Sequence, residues 1–157
     1  PPIRRMEVEQ SIFTSLLGKC GSPRIARGGR MELIECSNLP GDHWYSILHI
    51  RNENRHGFGD SSLIPVATHH RYMFENFKNY LLCVEGEKVI GFIGHVNNDI
   101  RLATRKSYQN KGVGKFMVEG FIKKFPDSFA KVKIDNEASR KLFESCGFKK
   151  KYYILEK

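Results

Sequence analysis

The sequence has little of what usually assigns a protein quickly. Its four cysteines, Cys20, Cys36, Cys83 and Cys146, are scattered, with no C-x-x-C pair and no metal-ligand spacing. Ordinary reduced thiols and no metal are therefore expected. No apolar run approaches the roughly 20 residues of a membrane span. The opening stretch PPIRRMEVEQ has no apolar core of the kind a secretion signal needs, so a cytoplasmic protein with no membrane partner is expected. The net charge of +9 is not matched by an aromatic-interleaved basic stripe or a nucleic-acid-binding motif, so no nucleic-acid partner is expected. That charge reads as a solvated basic surface or as attraction for an anionic ligand. Two phosphate-loop signatures are missing as well. A dinucleotide fingerprint needs a third glycine where Met117 stands, and a P-loop needs Ser or Thr where Phe116 follows Gly114-Lys115.

What is present is organised around Ile100 to Lys124, IRLATRKSYQNKGVGKFMVEGFIKK. The first part alternates as a strand, with Ile100, Leu102 and Thr104 on one side and Arg101, Ala103 and Arg105 on the other. Val113, Phe116, Met117, Gly120 and Phe121 then recur at helical spacing. Between them lies Gln109-Asn110-Lys111-Gly112-Val113-Gly114, which sets two glycines at a helix start. Helix starts carry unpartnered N–H groups and the positive end of the dipole. Glycine there lets an anion approach the main chain, so a phosphate or pyrophosphate is the natural guest.

A second stretch follows an alternating segment, Phe129 to Asp135. It reads Asn136-Glu-Ala-Ser-Arg-Lys-Leu-Phe143-Glu-Ser-Cys-Gly147-Phe148. Gln-x-x-Gly-x-Gly between strand and helix resembles the acyl-CoA pyrophosphate loop of the GNAT N-acetyltransferase superfamily, with Thr104 to Tyr108 in place of its V-x-P-x-Y lead-in. The second stretch resembles that superfamily's N-x-x-A/S-x-x-L-Y/F-x-x-x-G-F segment. Together they run from Ile100 to the C-terminus, and the likeness extends over about residues 31–157. It implies an α/β (α+β) fold: a mixed, mostly antiparallel sheet of six to seven strands. About four helices would flank that sheet, which would be splayed between strands four and five.

The rest of the chain fits. Residues 1–30 form a basic preface, with a short helix over Glu9 to Leu17 broken by Gly18 to Pro23. The domain itself would span 31–157, one core's worth of chain. Met31 to Cys36 alternates as a strand, and Asp42 is a credible N-cap for the helix that follows. Trp44, Ile47, Leu48 and Arg51 share that helix's inner face. A second helix, Ile64 to Phe77, would turn Val66, His69, His70, Met73, Phe74 and Phe77 inward. Tyr80 to Val84 and Val89 to Val96 pair through the turn Glu85 to Lys88. Asn97-Asn98 turns into the strand at Ile100, and Phe148 to Leu155 would close the sheet.

The chemistry implied is modest. An amine with a pKa of about 10 must lose a proton before it attacks, and a thiolate leaving group has a pKa of about 8.5. Holding two reactants in one cleft contributes most. By resemblance, acetyl-CoA is the donor and transfer to a primary amine is direct. The main chain of Gln109, Asn110, Lys111, Gly112, Val113 and Gly114 would hold the pyrophosphate, and Lys111 and Lys115 would add charge. Leu102, Ala103 and Thr104 would pair with the pantetheine arm, and Asn136 and Phe143 would border the cofactor. Phe143 stands where many relatives carry a tyrosine acid, and Asn98 where they carry a glutamate base. Asp99 and Tyr152 are the remaining candidates for base and acid, although Asp99 reads equally as a turn residue.

The spacing of Arg51, Asn52, Ile64, His69 and Tyr72 resembles a branch holding amino-sugar and ribosomal-protein N-acetyltransferases. That likeness implies Arg51 and His69 as acceptor residues. Each also has a structural reading, Arg51 paired with a carboxylate or carbonyls and His69 hydrogen-bonded in the interior. The expected partner is a small-molecule amine, weakly favouring a nucleotide-linked amino sugar. A peptide or protein amine and a non-catalytic CoA-binding module are the alternatives, and a homodimer is allowed for.

Overall fold

The computed structural model describes residues 29–38 and 43–157, so the expected Asp42 cap, the Glu9 to Leu17 helix and Cys20 lie outside the described residues. Four strands, β1 (Met31–Glu35), β2 (Tyr80–Glu85), β3 (Lys88–Val96) and β4 (Asp99–Thr104), form one antiparallel sheet in chain order. Two tight turns set its register. Gly86 turns β2 into β3 with φ +60°, and Asn97 and Asn98 turn β3 into β4 with φ +50° and +65°. Paired left-handed residues of this kind match the twist of the strands they join, and asparagine tolerates them well.

Helices cover both faces, so β2 and β3 read as nearly unbroken apolar runs. Tyr80, Leu82, Val84, Phe92 and Ala103 pack with Trp44, Ile47, Ile50 and Met73 from α1 (Trp44–Glu53) and α2 (Val66–Asn76). Leu81, Cys83, Ile93 and Ile100 pack with Val113, Met117, Phe121 and Phe143 from α3 (Val113–Lys124) and α4 (Glu137–Ser145). The mixed α/β architecture with four helices is the expected one. On α2 the buried stripe is narrower than the spacing predicts. His69 and Met73 are buried, while Val66 and Phe74 stand 49% and 71% exposed, because α2 packs chiefly on α1 and not on the sheet.

The sheet is smaller than expected among the described residues. Phe129 to Asp135 meets β4 at a single parallel bridge, Asp99 with Phe129. Phe129 N–H donates to the Asn98 carbonyl at 2.8 Å, and Ile100 N–H donates to the Phe129 carbonyl at 2.8 Å. The next rung of a parallel ladder would run from Lys131 N–H to the Ile100 carbonyl. Instead that N–H donates to Asp99 Oδ1 at 3.1 Å, so a side chain ends the ladder. No further pairing joins the two stretches, so the expected fifth strand, and with it a splay between strands four and five, is not formed among the described residues. Without a continued ladder at 130–135 there is no edge for a last strand to join. Tyr152, Tyr153 and Leu155 accordingly stand 89%, 88% and 92% exposed.

Candidate active site

The phosphate loop begins where β4 ends. A 3-10 turn, Lys106–Tyr108, leads to Asn110 at φ +59° and Gly112 at φ +79°, and Gly112 sits at the N-cap of α3. A Cβ on Gly112 would meet nothing within 4 Å, so the space over the helix start is open. Gly114 differs: its Cβ would lie 2.9 Å from Leu142 Cδ2, so this glycine lets α3 and α4 approach. The first intrahelical bond runs from Phe116 N–H to the Gly112 carbonyl at 3.1 Å, which leaves the N–H groups before it pointing outward. Gln109 contributes differently from the expectation. Its N–H donates to the Lys106 carbonyl at 3.3 Å, and its side chain donates to Asn54 Oδ1 at 2.7 Å. The outward main-chain donors therefore run from Asn110 to Gly114.

The α1 C-terminus fixes this loop. Glu53 Oε2 accepts from Lys106 N–H at 3.1 Å, and Asn54 Nδ2 donates to the Thr104 carbonyl at 3.0 Å. Neither residue stands out in the sequence, where Glu and Asn at a helix end look like ordinary surface. Alongside, Lys88 and Lys111 each set an ammonium 5.3 Å from the Tyr108 ring centroid.

The main chain of β4 divides by parity. Arg105 N–H donates to the Ile90 carbonyl at 2.8 Å, so Arg105, Ala103 and Arg101 turn their peptide groups toward β3. Ala103 therefore has no free main-chain edge. Leu102 turns both its N–H and C=O into the fork, and Thr104 turns its N–H there while its carbonyl is held by Asn54. Leu102 and the Thr104 N–H are the groups open to a strand-like ligand arm.

Asp99 stands at the closed end of the fork. It is 3% exposed, Oδ1 takes the Lys131 N–H, and Oδ2 has no hydrogen-bond partner. Arg101 brings a guanidinium nitrogen to 3.0 Å from Oδ2, with 38% of its own side chain exposed. Both residues lie on the α1/α2 face of the sheet, with Ala103. Asp99 is a buried strand residue, and Asn98 is the exposed turn residue beside it.

Asn136, Arg51 and His69 each hold structural partners. Asn136 caps α4, accepting from Ser139 N–H at 3.1 Å, and its amide reaches the Gly57 carbonyl at 3.5 Å. Arg51 is 8% exposed and donates to the Asp60 carbonyl at 2.6 Å, to the Ser62 carbonyl and to Asn52 Oδ1 at 3.2 Å. Its guanidinium also lies 5.4 Å from the Phe58 ring centroid, so it organises the loop between α1 and α2. His69 Nε2 lies 2.7 Å from the Trp44 carbonyl and pins α2 to α1. Burial lowers its pKa and keeps the ring neutral, the carbonyl opposing and the charges of His70 and Arg51 reinforcing the shift.

Phe143 is buried and packs edge-on to Phe148 at 5.1 Å, so it shapes the wall and supplies no proton. Tyr152, at 89% exposure, is solvated rather than built into the cleft. Burial pushes the Cys36 and Cys83 thiols up to about 12, and neither can serve as a thiolate nucleophile. Among the described residues no cluster of three metal ligands occurs, and no helix is long and apolar enough to cross a membrane.

The model of the Acetyltransferase (GNAT) family matches residues 44–148. No curated protein matches the chain. Among solved structures, a ribosomal-protein-alanine N-acetyltransferase from Brucella melitensis is 14% identical, with a TM-score of 0.66 over 75% of this chain and 84% of that one. An aminoglycoside N-acetyltransferase, AAC(6')-Iy, in complex with CoA is 15% identical, with a TM-score of 0.65 over 85% and 97%. The Salmonella typhimurium protein yncA, with its cofactor acetyl-CoA, is 15% identical at a TM-score of 0.63 over 76% and 79%. At such identities the likeness is one of fold.

Proposed function

The chain belongs to the acetyltransferase (GNAT) family of N-acyltransferases, and from that premise we propose that it transfers an acetyl group from acetyl-CoA directly to the primary amine of a small acceptor. The observation that carries this reading is the fork between β4 and residue 129 onward, closed by Asp99 and open toward the glycine loop. The residues fit the donor. Open space at Gly112 admits a phosphate to the main chain, and Leu102 and the Thr104 N–H offer a strand edge to an amide-bearing arm. When bound, the donor supplies a thioester carbonyl as the electrophile.

The chain's own residues then do four things. The donors from Asn110 to Gly114 hold the phosphates against the α3 dipole. Leu102 would pair with the arm through its N–H and C=O, on the strand that begins at Asp99. Asp99 Oδ2 accepts a hydrogen bond from the amine and, directly or through water, its proton. Phe143 and Phe148 pack on the α3/α4 side of the fork and supply no proton there, so a thiolate with a pKa of about 8.5 leaves without a protein acid. Arg51 and His69 shape the acceptor side through the loop and helix they hold.

The test incubates the protein with acetyl-CoA and a panel of amines while free thiol is followed. Amine-dependent thiol release supports the enzyme. CoA binding with no turnover on any amine would leave a CoA-binding module instead, a reading that the phenylalanine at position 143 favours. Release only with peptide amines would move the acceptor to the protein class.

A further inference from the structure

The acceptor side holds a second polar cluster that the sequence does not announce. Tyr80, Gly94 and Arg101 sit side by side across β2, β3 and β4 on the face that carries Asp99. A Cβ on Gly94 would fall 2.4 Å from the Tyr80 ring, so the missing side chain lets that ring lie across the sheet toward Arg101. Tyr72 reaches in from α2, and its hydroxyl lies 2.6 Å from the Tyr80 hydroxyl. Burial raises both phenols, so both stay protonated at neutral pH, with the positive charge of Arg101 acting in the opposite direction on each. Two hydroxyls carry two hydrogens, and their mutual bond uses one, so the pair retains one donor. Arg101 meets Asp99 through one nitrogen and turns part of its five-donor fork to solvent.

This arrangement has a consequence for any amine that enters. Asp99 is the buried acceptor, and Arg101 already occupies it. An ammonium approaching the pair meets a like charge, and a buried carboxylate stripped of its cation is costly. An amine carrying its own anion resolves both problems, because the anion takes the guanidinium while the ammonium takes the carboxylate.

We propose that the acceptor carries an anionic group, a carboxylate or a phosphate ester, near its amine, and that Arg101 leaves Asp99 to bind that anion with the Tyr72–Tyr80 hydroxyl pair. Arg101 is then a specificity-determining residue whose release also frees Asp99 Oδ2 for the amine. The exchange is non-covalent: one ion pair separates and two form. It rests on the reading of the chain as an acetyltransferase and deepens it by naming the acceptor's charge.

The experiment measures kcat/KM with acetyl-CoA for matched amines, L-methionine against L-methioninamide and glucosamine 6-phosphate against glucosamine. Wild type, Arg101→Ala, Arg101→Lys and Tyr72→Phe are compared. CoA binding is measured on each protein by calorimetry. The anion-bearing member of at least one pair is expected to lead by about 10- to 100-fold in the wild type. That lead should vanish in Arg101→Ala, survive in part in Arg101→Lys and shrink in Tyr72→Phe. Which pair shows it separates a carboxylate from a phosphate. Reading a ratio within one variant removes any general loss of stability. Equal rates within both pairs, a lead that persists in Arg101→Ala, or no reaction of any of the four amines in a protein that still binds CoA would overturn the proposal. Failure to bind CoA at all would instead sink the acetyltransferase reading beneath it.

Discussion

The two sides of β4 are built from different materials. Toward the fork and the glycine loop the groups on offer are peptide N–H and C=O: Leu102, Thr104 and the run from Asn110 to Gly114. Toward α1 and α2 they are side chains: Asp99, Arg101, and across the strands Tyr80 and Tyr72. A site made of main chain binds whatever presents phosphate and amide, and needs only that nothing block it. A site made of side chains binds one arrangement of charge, and fails if a single rotamer or register changes. The donor half therefore suits a ligand common to a family, and the acceptor half one particular to a chain.

The largest effect expected from that contrast is at Gly112. Gly112→Glu fills the open space over the α3 N-terminus and sets a negative charge against the phosphates. CoA affinity should fall by two orders of magnitude or more, about 3 kcal/mol by the usual conversion. Gly112→Ala separates strain from charge, since a φ of +79° costs a non-glycine residue about 1–2 kcal/mol. Calorimetry with CoA, beside circular dichroism to show the fold intact, checks both. Undiminished affinity in Gly112→Glu would detach the loop from phosphate binding altogether.

Next comes Asp99→Asn, which keeps the shape and the Lys131 contact but removes the carboxylate. A positioned general base is worth about 10²–10⁴ in rate, so kcat should drop by at least the lower figure while CoA affinity stays level. A drop in CoA affinity of equal size would mean that Asp99 acts by holding the fork open rather than on the acceptor.

The same division explains what could be read without coordinates. Glycines at 112 and 114 and the apolar spacing of α3 are local signals, and the loop, the helix and the strand before it lie where they predict. The order β2 to β4 follows because each of the two hairpin turns is written in two residues, whereas β1 joins β2 across two helices and no local signal places it. The Asp99 to Lys131 bond is a contact across 32 positions, and no local pattern marks it. Gln109 and Asn136 were legible as motif residues but not as what they do here, since a side chain that staples a loop or caps a helix looks the same in sequence as one that holds a ligand. In the sequence Arg101 is only the polar phase of a strand. Its partner two residues away on the same face, and the bare Gly94 that lets Tyr80 lean toward it, become meaningful only in the register of three strands.

Gly114→Ala sharpens the contrast between the two loop glycines. Its Cβ would press on Leu142, so the damage should appear as stability and not as lost ligand contact. Overpacking costs about 1–3 kcal/mol, set against about 1 kcal/mol gained from alanine in a helix, and about 2–4 °C in Tm accompanies each net kcal/mol in a chain of this size. CoA affinity measured well below the melting range should stay close to wild type. Affinity lost without a change in Tm would assign Gly114 to the ligand after all.

The smallest effect concerns the acceptor side's foundation. His69 is buried, holds the Trp44 carbonyl and has a pKa lowered by burial, so the folded protein resists a proton that the unfolded chain accepts below pH 6.5. Stability should therefore be level above that value and decline as the pH falls toward 5, by no more than about 1.4 kcal/mol per pH unit from this group. His69→Gln can still donate to the Trp44 carbonyl but cannot titrate, so its Tm should decline less over the same interval. The decline should not disappear, because burial lowers His95 as well. Parallel curves for the two proteins would mean that α2 is pinned without any cost to protonating His69.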